Sequence, residues 1–456
     1  MAEPAGTPAD PDRHVLDSWL GLPKRQVQRI VGYGAARALV ELLLGGRGIL
    51  LAALVGPVAF GTWSLLRMCQ QYLHIAGLGV SRGLEVEASA NRGCLNGRLD
   101  PAAEHFAAAG NGFLLLSYGT VVVGAAVGAV LTTDPLWRVV LAGIALTTLA
   151  ERAWLQGATF LRAQGTVSEF ATIELAHAAL QIVLTGLLAL IWQLQGAIVG
   201  LALAYAGGVV MMRGRVPMRL GWSWPATRSL IRIGLPVTLA GLMHTLVGSL
   251  DRLIVAALVG VEDLGQYAFA VSVASIGSAA GFVVRTAVFP DVFHAARHGD
   301  PEEWVAGMDR LLLGMAWILS LVLALLGLVI GPLVTYFLPD YTQAVGPARV
   351  FVFTGVAQGL MLVAMLGSVA ADRQHRVPLI TAAALLTSTI LSWAVLELDL
   401  GLVGLAAVSL TTRLAYALVL TALGRPRTTW RENLRFAAGL ALPVVAACGL
   451  VNLVAS

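Results

Sequence analysis

Apolar runs separated by short polar breaks recur along the whole chain, each near the about 20 residues that a helix needs to cross roughly 30 Å of hydrocarbon. They predict helices over Val31–Gly56, Thr62–Val80, Ala107–Leu131, Val139–Phe160, Phe170–Trp192 and Ala197–Met212. A second series covers Ile231–Gly260, Leu264–Phe289, Leu311–Leu338, Ala348–Ala370, Leu379–Leu396 and Leu402–Leu423, and a thirteenth run, Phe436–Ala455, follows. The division into two sixes rests on a repeat. AALVGPVAFGTW (Ala52–Trp63) returns as AALVGVEDLGQY (Ala256–Tyr267), and the same offset of 204 residues pairs Gly61 with Gly265, Trp63 with Tyr267 and Ala76-Gly77 with Ala280-Gly281. A shared AALVG alone is expected by chance about once in so apolar a chain, so the ungapped offset is what implies two homologous halves.

The expected fold is all-α and integral to the membrane, with two pseudo-symmetric six-helix lobes around a central cavity and a thirteenth helix. The divisions are an amino-terminal cytoplasmic segment (1–30), the N-lobe (31–212), an amphipathic connector (213–230), the C-lobe (231–423), and a linker with the extra helix (424–456). Gly124 with Gly128, Gly196 with Gly200 and Gly277 with Gly281 have close-packing spacing. Pro236 and Pro332 are candidate bending points of the seventh and ninth spans.

Arginine and lysine fall on alternate connections. One set carries Lys24, Arg25 and Arg29; Arg82, Arg92 and Arg98; Arg162; Arg213, Arg215, Arg219 and Arg228; Arg297; Arg373 and Arg376; and Arg425, Arg427, Arg431 and Arg435. The other carries only Arg138. This bias supports the span count and predicts a cytoplasmic amino terminus, with both repeat turns facing outward. Composition agrees: 57% of residues are hydrophobic and 12% charged, with a mean hydropathy of +0.79, far from a soluble domain. The expected location is the plasma (inner) membrane, multi-pass. Residues 1–29 have no signal-peptide core, so the first span reads as an uncleaved anchor.

The net charge of +4 does not imply nucleic acid, because the arginines flank spans instead of forming a basic face on a soluble domain. Cys69, Cys94 and Cys448 lack metal or disulfide spacing and read as packing residues. HExxH, CxxC, GxSxG and Walker motifs are absent, so neither an enzyme nor a cofactor or metal is expected.

The informative residues are charges too deep to snorkel, since an ionised group at mid-bilayer costs at least about 2.5 to 3.5 kcal/mol and must face protein or a watery cavity. Arg47 lies nine residues before Gly56, about 13 Å along the helix axis. Asp251 holds the equivalent place before Gly260, and Arg252 follows it. Glu151 and Arg152 on the fourth span, Arg413 on the twelfth and Glu41 below Arg47 complete the set. Adjacent Glu151 and Arg152 diverge by about 100° and should meet different partners. Glu174 and His177 are placed to pair at i,i+3, while His74 and His244 read as hydrogen-bonded interior histidines. Arg47 and Arg252 supply permanently charged, bidentate donors suited to a pyrophosphate or acidic sugar. A structural ion pair is the alternative for Asp251 with Arg252.

The stretch from Ile231 to Phe293, with GLP at Gly234–Pro236, SLDRLIV at Ser249–Val255, the turn Gly260–Tyr267 and Phe289-Pro290, resembles the second-half opening of polysaccharide transporters, the flippases of lipid-linked oligosaccharides. They share a superfamily with multidrug and toxin extruders and lipid II flippases. GPVAFGTW and AGLGVSRGLEVEASANRG repeat the pattern more faintly in the first half. The resemblance implies alternating access moving a polyprenyl-pyrophosphate-linked glycan to the outer leaflet, with Arg47, Arg252, Arg152 and Arg413 as substrate-binding candidates. Asp251, Glu151 and Glu41 are the ion-coupling or ion-pair candidates. Implied partners are the lipid-linked glycan, membrane lipids and glycan-assembly proteins. An ion-coupled exporter of small amphipathic molecules and a non-transporting scaffold are the alternatives.

Overall fold

A computed structural model of the chain describes residues 24–90, 101–163, 167–216, 219–275, 277, 301–425 and 428–454. Arg92, Cys94, Arg98, Ala280, Gly281, Phe289-Pro290, Arg297 and Arg427, singled out above, lie outside the described residues. In hydrocarbon every backbone N–H and C=O must be satisfied within the segment, and long helices do this. Helices occupy the described part of every predicted span, Leu264–Phe289 being described only to residue 277, and the described residues contain no strand.

The N-lobe opens with α1 (Lys24–Tyr72), two limbs joined at Gly56. Gly56 has φ 77°, a left-handed conformation in which a side chain would be strained. A short 3-10 turn (Leu73–Gly77) leads to α2 (Val80–Ala90). Then come α3 (Pro101–Leu131), α4 (Pro135–Ala163) and α5 (Val167–Met211), itself two limbs broken at Trp192 and Gln193. Gly196 and Gly200 let these limbs close: a Cβ on either would overlap the carbonyl oxygen of Leu188 or Leu184. Gly124 differs, having nothing within 4 Å of such a Cβ.

The C-lobe repeats the plan. α6 (Trp224–Val247) and α7 (Leu250–Ile254), extended by a π-turn (Val255–Val259), form its first span, and Gly260, again at positive φ (147°), turns the chain into α8 (residues 261–275). The two repeat glycines therefore do the same conformational work. α9 (Pro301–Phe337), α10 (Val345–Phe351), α11 (Thr354–Ala370), α12 (Val377–Glu397) and α13 (Gly401–Leu423) follow. The thirteenth span, α14 (Trp430–Val454), packs on α9, where Gly327 admits Val451. Both proposed proline bends fall inside continuous helices. The seventh span breaks later, at Gly248 and Ser249.

Nine helical segments among the described residues are long and apolar enough to cross a membrane. α4, which carries Glu151 and Arg152, is not one of the nine, but its 29 residues reach about 43 Å, enough to span. The chain is a multi-pass membrane protein.

The lobes meet at both ends. At the glycine-turn end, Gly61 and Gly265 face each other: a Cβ on Gly61 would overlap the Val261 carbonyl oxygen, and one on Gly265 the Pro57 carbonyl oxygen. Tyr341 donates to the Ala52 carbonyl at 3.1 Å and packs edge-on against Phe60, adding to this seal. Farther along, Gly45 and Gly48 admit Ser275 and Ser272 of α8. At the arginine-rich end α2 lies on α6, where Gly79 and Gly83 touch the backbone of Gly234 and Leu230.

Candidate functional site: an arginine-lined cavity between the lobes

A cavity of about 750 Å³ lies between these contacts. From the N-lobe it is lined by Arg37, Glu41, Arg47, Arg67, Gln71, His74, Arg82, Glu151 and Arg152, and from the C-lobe by Thr238, Thr245 and Arg252 among others. Six arginines against two glutamates leave a formal net of four positive charges on its wall.

Most of these charges are tied to a partner. Arg37 donates to Glu41 on its own helix and to Glu174 on α5. This corrects the Glu174–His177 pairing: at i,i+3 the two share a helix, but Glu174 turns to the arginine of α1. His177 stacks on Trp154, ring centroids 3.7 Å apart, and approaches Gln181. Arg67 donates to Gln70 (2.6 Å), Glu151 (3.0 Å) and Tyr205 (3.2 Å), while Tyr205 also donates to Glu151. Arg152 points elsewhere, to His74 Nδ1 at 2.9 Å and the Gln70 carbonyl, with Tyr118 under its guanidinium at 5.2 Å. Glu151 and Arg152 thus take different partners, although their nearest charged atoms remain 3.8 Å apart.

Arg47 and Arg252 stand apart. Arg47 donates to the neutral amide of Gln181 and lies 5.7 Å from the Trp63 ring centre. Among the described residues the Arg252 side chain reaches only a backbone carbonyl, Gly248, at 3.3 Å. Neither makes an ion pair among the described residues, which sets them apart; the Nε of each is also buried without a hydrogen-bond partner there, as it is in Arg152 and Arg413. A buried guanidinium in this condition retains unspent donor capacity.

Arg413 and Asp251 lie outside the cavity lining. Arg413 donates to the Gly248 carbonyl (2.9 Å) and faces Asp251 (3.4 Å). Asp251, 3% exposed, also accepts from the Tyr267 hydroxyl (3.2 Å) and the Arg252 backbone N–H (2.8 Å). Its partner is Arg413, so Asp251 and Arg252 do not form the ion pair that adjacency offered. The network fixes the broken turn at Gly248–Ser249, where Ser249 also meets Tyr72 of the N-lobe, hydroxyls 2.6 Å apart.

Sequence reading missed Arg37, Arg67 and Arg82 as wall residues. Arg67 carried a signal, a charge in the middle of the second span. Arg37 and Arg82 sit nearer span ends, where snorkelling accounts for a charge without any cavity.

Comparison with known proteins accords with this geometry. A family model described as polysaccharide biosynthesis protein matches residues 112–293. No curated protein sequence matches the chain. An inward-facing multidrug resistance MATE family transporter of the MOP superfamily superposes with a TM-score of 0.64 at 14% identity, over 88% of this chain and 95% of that one. The fold is that of MATE-type transporters. A eukaryotic MATE transporter gives a TM-score of 0.59 at 15% identity, over 91% and 97% of the two chains. A MOP superfamily transporter from Pyrococcus furiosus, described as having a binding pocket of reverse polarity, gives 0.55 at 16% identity, over 92% and 99%. The shared fold runs over about nine-tenths of this chain and nearly all of each of these three structures.

Proposed function

We propose that the protein transports an anionic lipid-linked glycan, a polyprenyl-pyrophosphate-linked oligosaccharide or polysaccharide precursor, from the cytoplasmic to the outer leaflet by alternating access. The observation that carries this reading is the pair Arg47 and Arg252, one from each lobe, both on the cavity wall and both without a carboxylate partner among the described residues. A pyrophosphate offers acceptors to two guanidinium groups at once, and donors from opposite lobes give a ligand a grip that changes when the lobes rock. The match to a polysaccharide biosynthesis model points to the same cargo class. In this reading the arginine-rich end is cytoplasmic, the membrane is the plasma membrane, and the Gly61–Gly265 seal closes the outer side.

The multidrug-type exporter is the second reading, favoured by the shared fold. A wall with four net positive charges opposes cationic amphiphiles and favours anionic cargo. Among the coupling candidates, Glu41 and Glu151 are on the wall, where a proton or cation could reach them, and Asp251 is enclosed by Arg413 and Tyr267.

Replacing Arg252 by Ala tests the proposal. Glycan export, followed as surface polysaccharide in cells that depend on this gene copy, should fall by at least about tenfold, the loss of one charge-assisted contact. The amount of protein in the membrane should not change. Normal export in Arg252→Ala would overturn the head-group role, and normal export in cells lacking the protein would remove the transport reading itself.

A further inference from the structure

A second concavity opens on the N-lobe at the arginine-rich half, between α3, α4 and the connector. It holds about 130 Å³, and its walls are apolar: Leu114, Leu115, Leu149, Phe160, Val216 and Leu220. Leu115 and Leu220 are exposed (48% and 62%), so the groove continues into the surface that faces hydrocarbon. Its floor is polar. Gln156, 8% exposed, donates to Asn111 at 3.3 Å and leaves its Oε1 buried with no partner; Arg152, also 8% exposed, likewise leaves its Nε without one.

Arg152 lines both this groove and the central cavity, and among the described residues no other belongs to both. The connector forming the outer wall is pinned to α3, since the Gly221 N–H donates to the Ala108 carbonyl (2.9 Å) and Asn111 donates to the Arg219 carbonyl (3.2 Å). Apolar walls open to lipid, unpartnered polar atoms in a buried floor and a cation shared with an anion-attracting cavity together describe a site for a molecule with a hydrocarbon chain and a phosphate at its end.

We infer that this groove seats the first part of the polyisoprenyl chain of the lipid carrier, with Arg152 at the junction where its phosphate passes into the cavity. The inference rests on the proposed transport of a lipid-linked anion and adds where the lipid end is held. Gln156 and Asn111 mark the polar limit of the groove, and the rest of the chain lies in the bilayer beyond Leu115 and Leu220.

The test uses the full-length protein in nanodiscs with a photoactivatable polyprenyl phosphate that bears no sugar. Peptide mapping should place the label on α3 or α4 in the groove. Leu149→Trp, a filling substitution at a position 38% exposed, should cut labelling at least about fivefold, whereas Leu442→Trp on α14, at a position 59% exposed and away from the groove, should leave it within twofold. Unlabelled polyprenyl phosphate should compete, and phosphatidylglycerol at the same concentration should not. Label confined to other helices, equal competition by phosphatidylglycerol, or undiminished labelling in both Leu149→Trp and a second filling variant, Leu115→Trp, would overturn the inference. Groove labelling without any glycan export in cells would keep the groove and remove the transport reading; export lost in Arg252→Ala with no groove labelling would do the reverse.

Discussion

An arginine in a membrane span remains charged, so its surroundings must supply acceptors, a π face or water. The deep arginines here divide on that basis. Arg67 and Arg413 have carboxylate partners, whereas Arg47 and Arg252 make do with neutral groups. That division separates the charges held by carboxylates from those that are not, and it makes a prediction about Arg413. Breaking a buried pair by removing one partner costs about 3 to 5 kcal/mol, much of it the stranded charge. Asp251→Ala should therefore lower thermal stability markedly, and so should Arg413→Met, while the double variant should lie closer to the wild type than the two single losses added together. Additive losses in thermal unfolding would show that the two side chains are not coupled. Depth in the sequence was enough to single out Arg47 and Arg252, which both line the cavity, because a charge eight or nine residues from a turn has no polar surface within reach. It could not decide between Arg252 and Arg413 as Asp251's partner, since that choice depends on how α13 lies against the turn at Gly248.

At the scale of elements, glycine sets where helices approach. The seal between the lobes is made by the repeat-related Gly61 and Gly265, each with its neighbour's carbonyl oxygen in the space of a Cβ. Gly265→Val should hold the lobes apart at this end. Spin labels on cysteines at exposed Val58 and Glu262, in a background without the native cysteines, should report one short distance in the parent protein and a longer one in Gly265→Val; identical distributions would sink the seal. A second junction holds the added helix. Arg425 joins Asp309 of α9 (2.7 Å) to Asn433 of α14 (2.8 Å) and lies 4.3 Å from the Phe436 ring centre. Arg425→Ala should cost about 1.5 to 3 kcal/mol, the usual range for hydrogen bonds to a charged group, read as earlier thermal unfolding with α14 released first to proteolysis; unchanged unfolding would show that α14 is held by apolar packing alone. The repeat placed both glycine turns correctly because local backbone geometry decides them. It did not place the break in the seventh span, since Pro236 can stay inside a helix when neighbouring groups satisfy the freed carbonyl, while Gly248–Ser249 breaks through a tertiary network of Arg413, Asp251 and Tyr72.

For the whole molecule, the sign of the cavity potential separates the two transport readings. The walls of a cavity surrounded by low-dielectric protein focus its field, so four net positive charges act over the whole volume instead of at one contact. A ligand that binds only the folded state stabilises it by RT ln(1 + [L]/Kd), about 2.7 kcal/mol at a hundredfold excess over Kd. A sugar-free polyprenyl pyrophosphate should therefore raise the unfolding temperature of the purified protein, and added salt should reduce the rise, since ions screen charges across a watery cavity within about 8 Å at physiological strength. The rise should shrink in Arg47→Ala and in Arg252→Ala separately, because each lobe contributes one unpaired guanidinium. Cationic amphiphiles of the same chain length should give no rise. The opposite ranking, stabilisation by the cation and none by the pyrophosphate, would assign the cavity to a multidrug-type exporter, with Glu41 and Glu151 as the groups that the cargo meets.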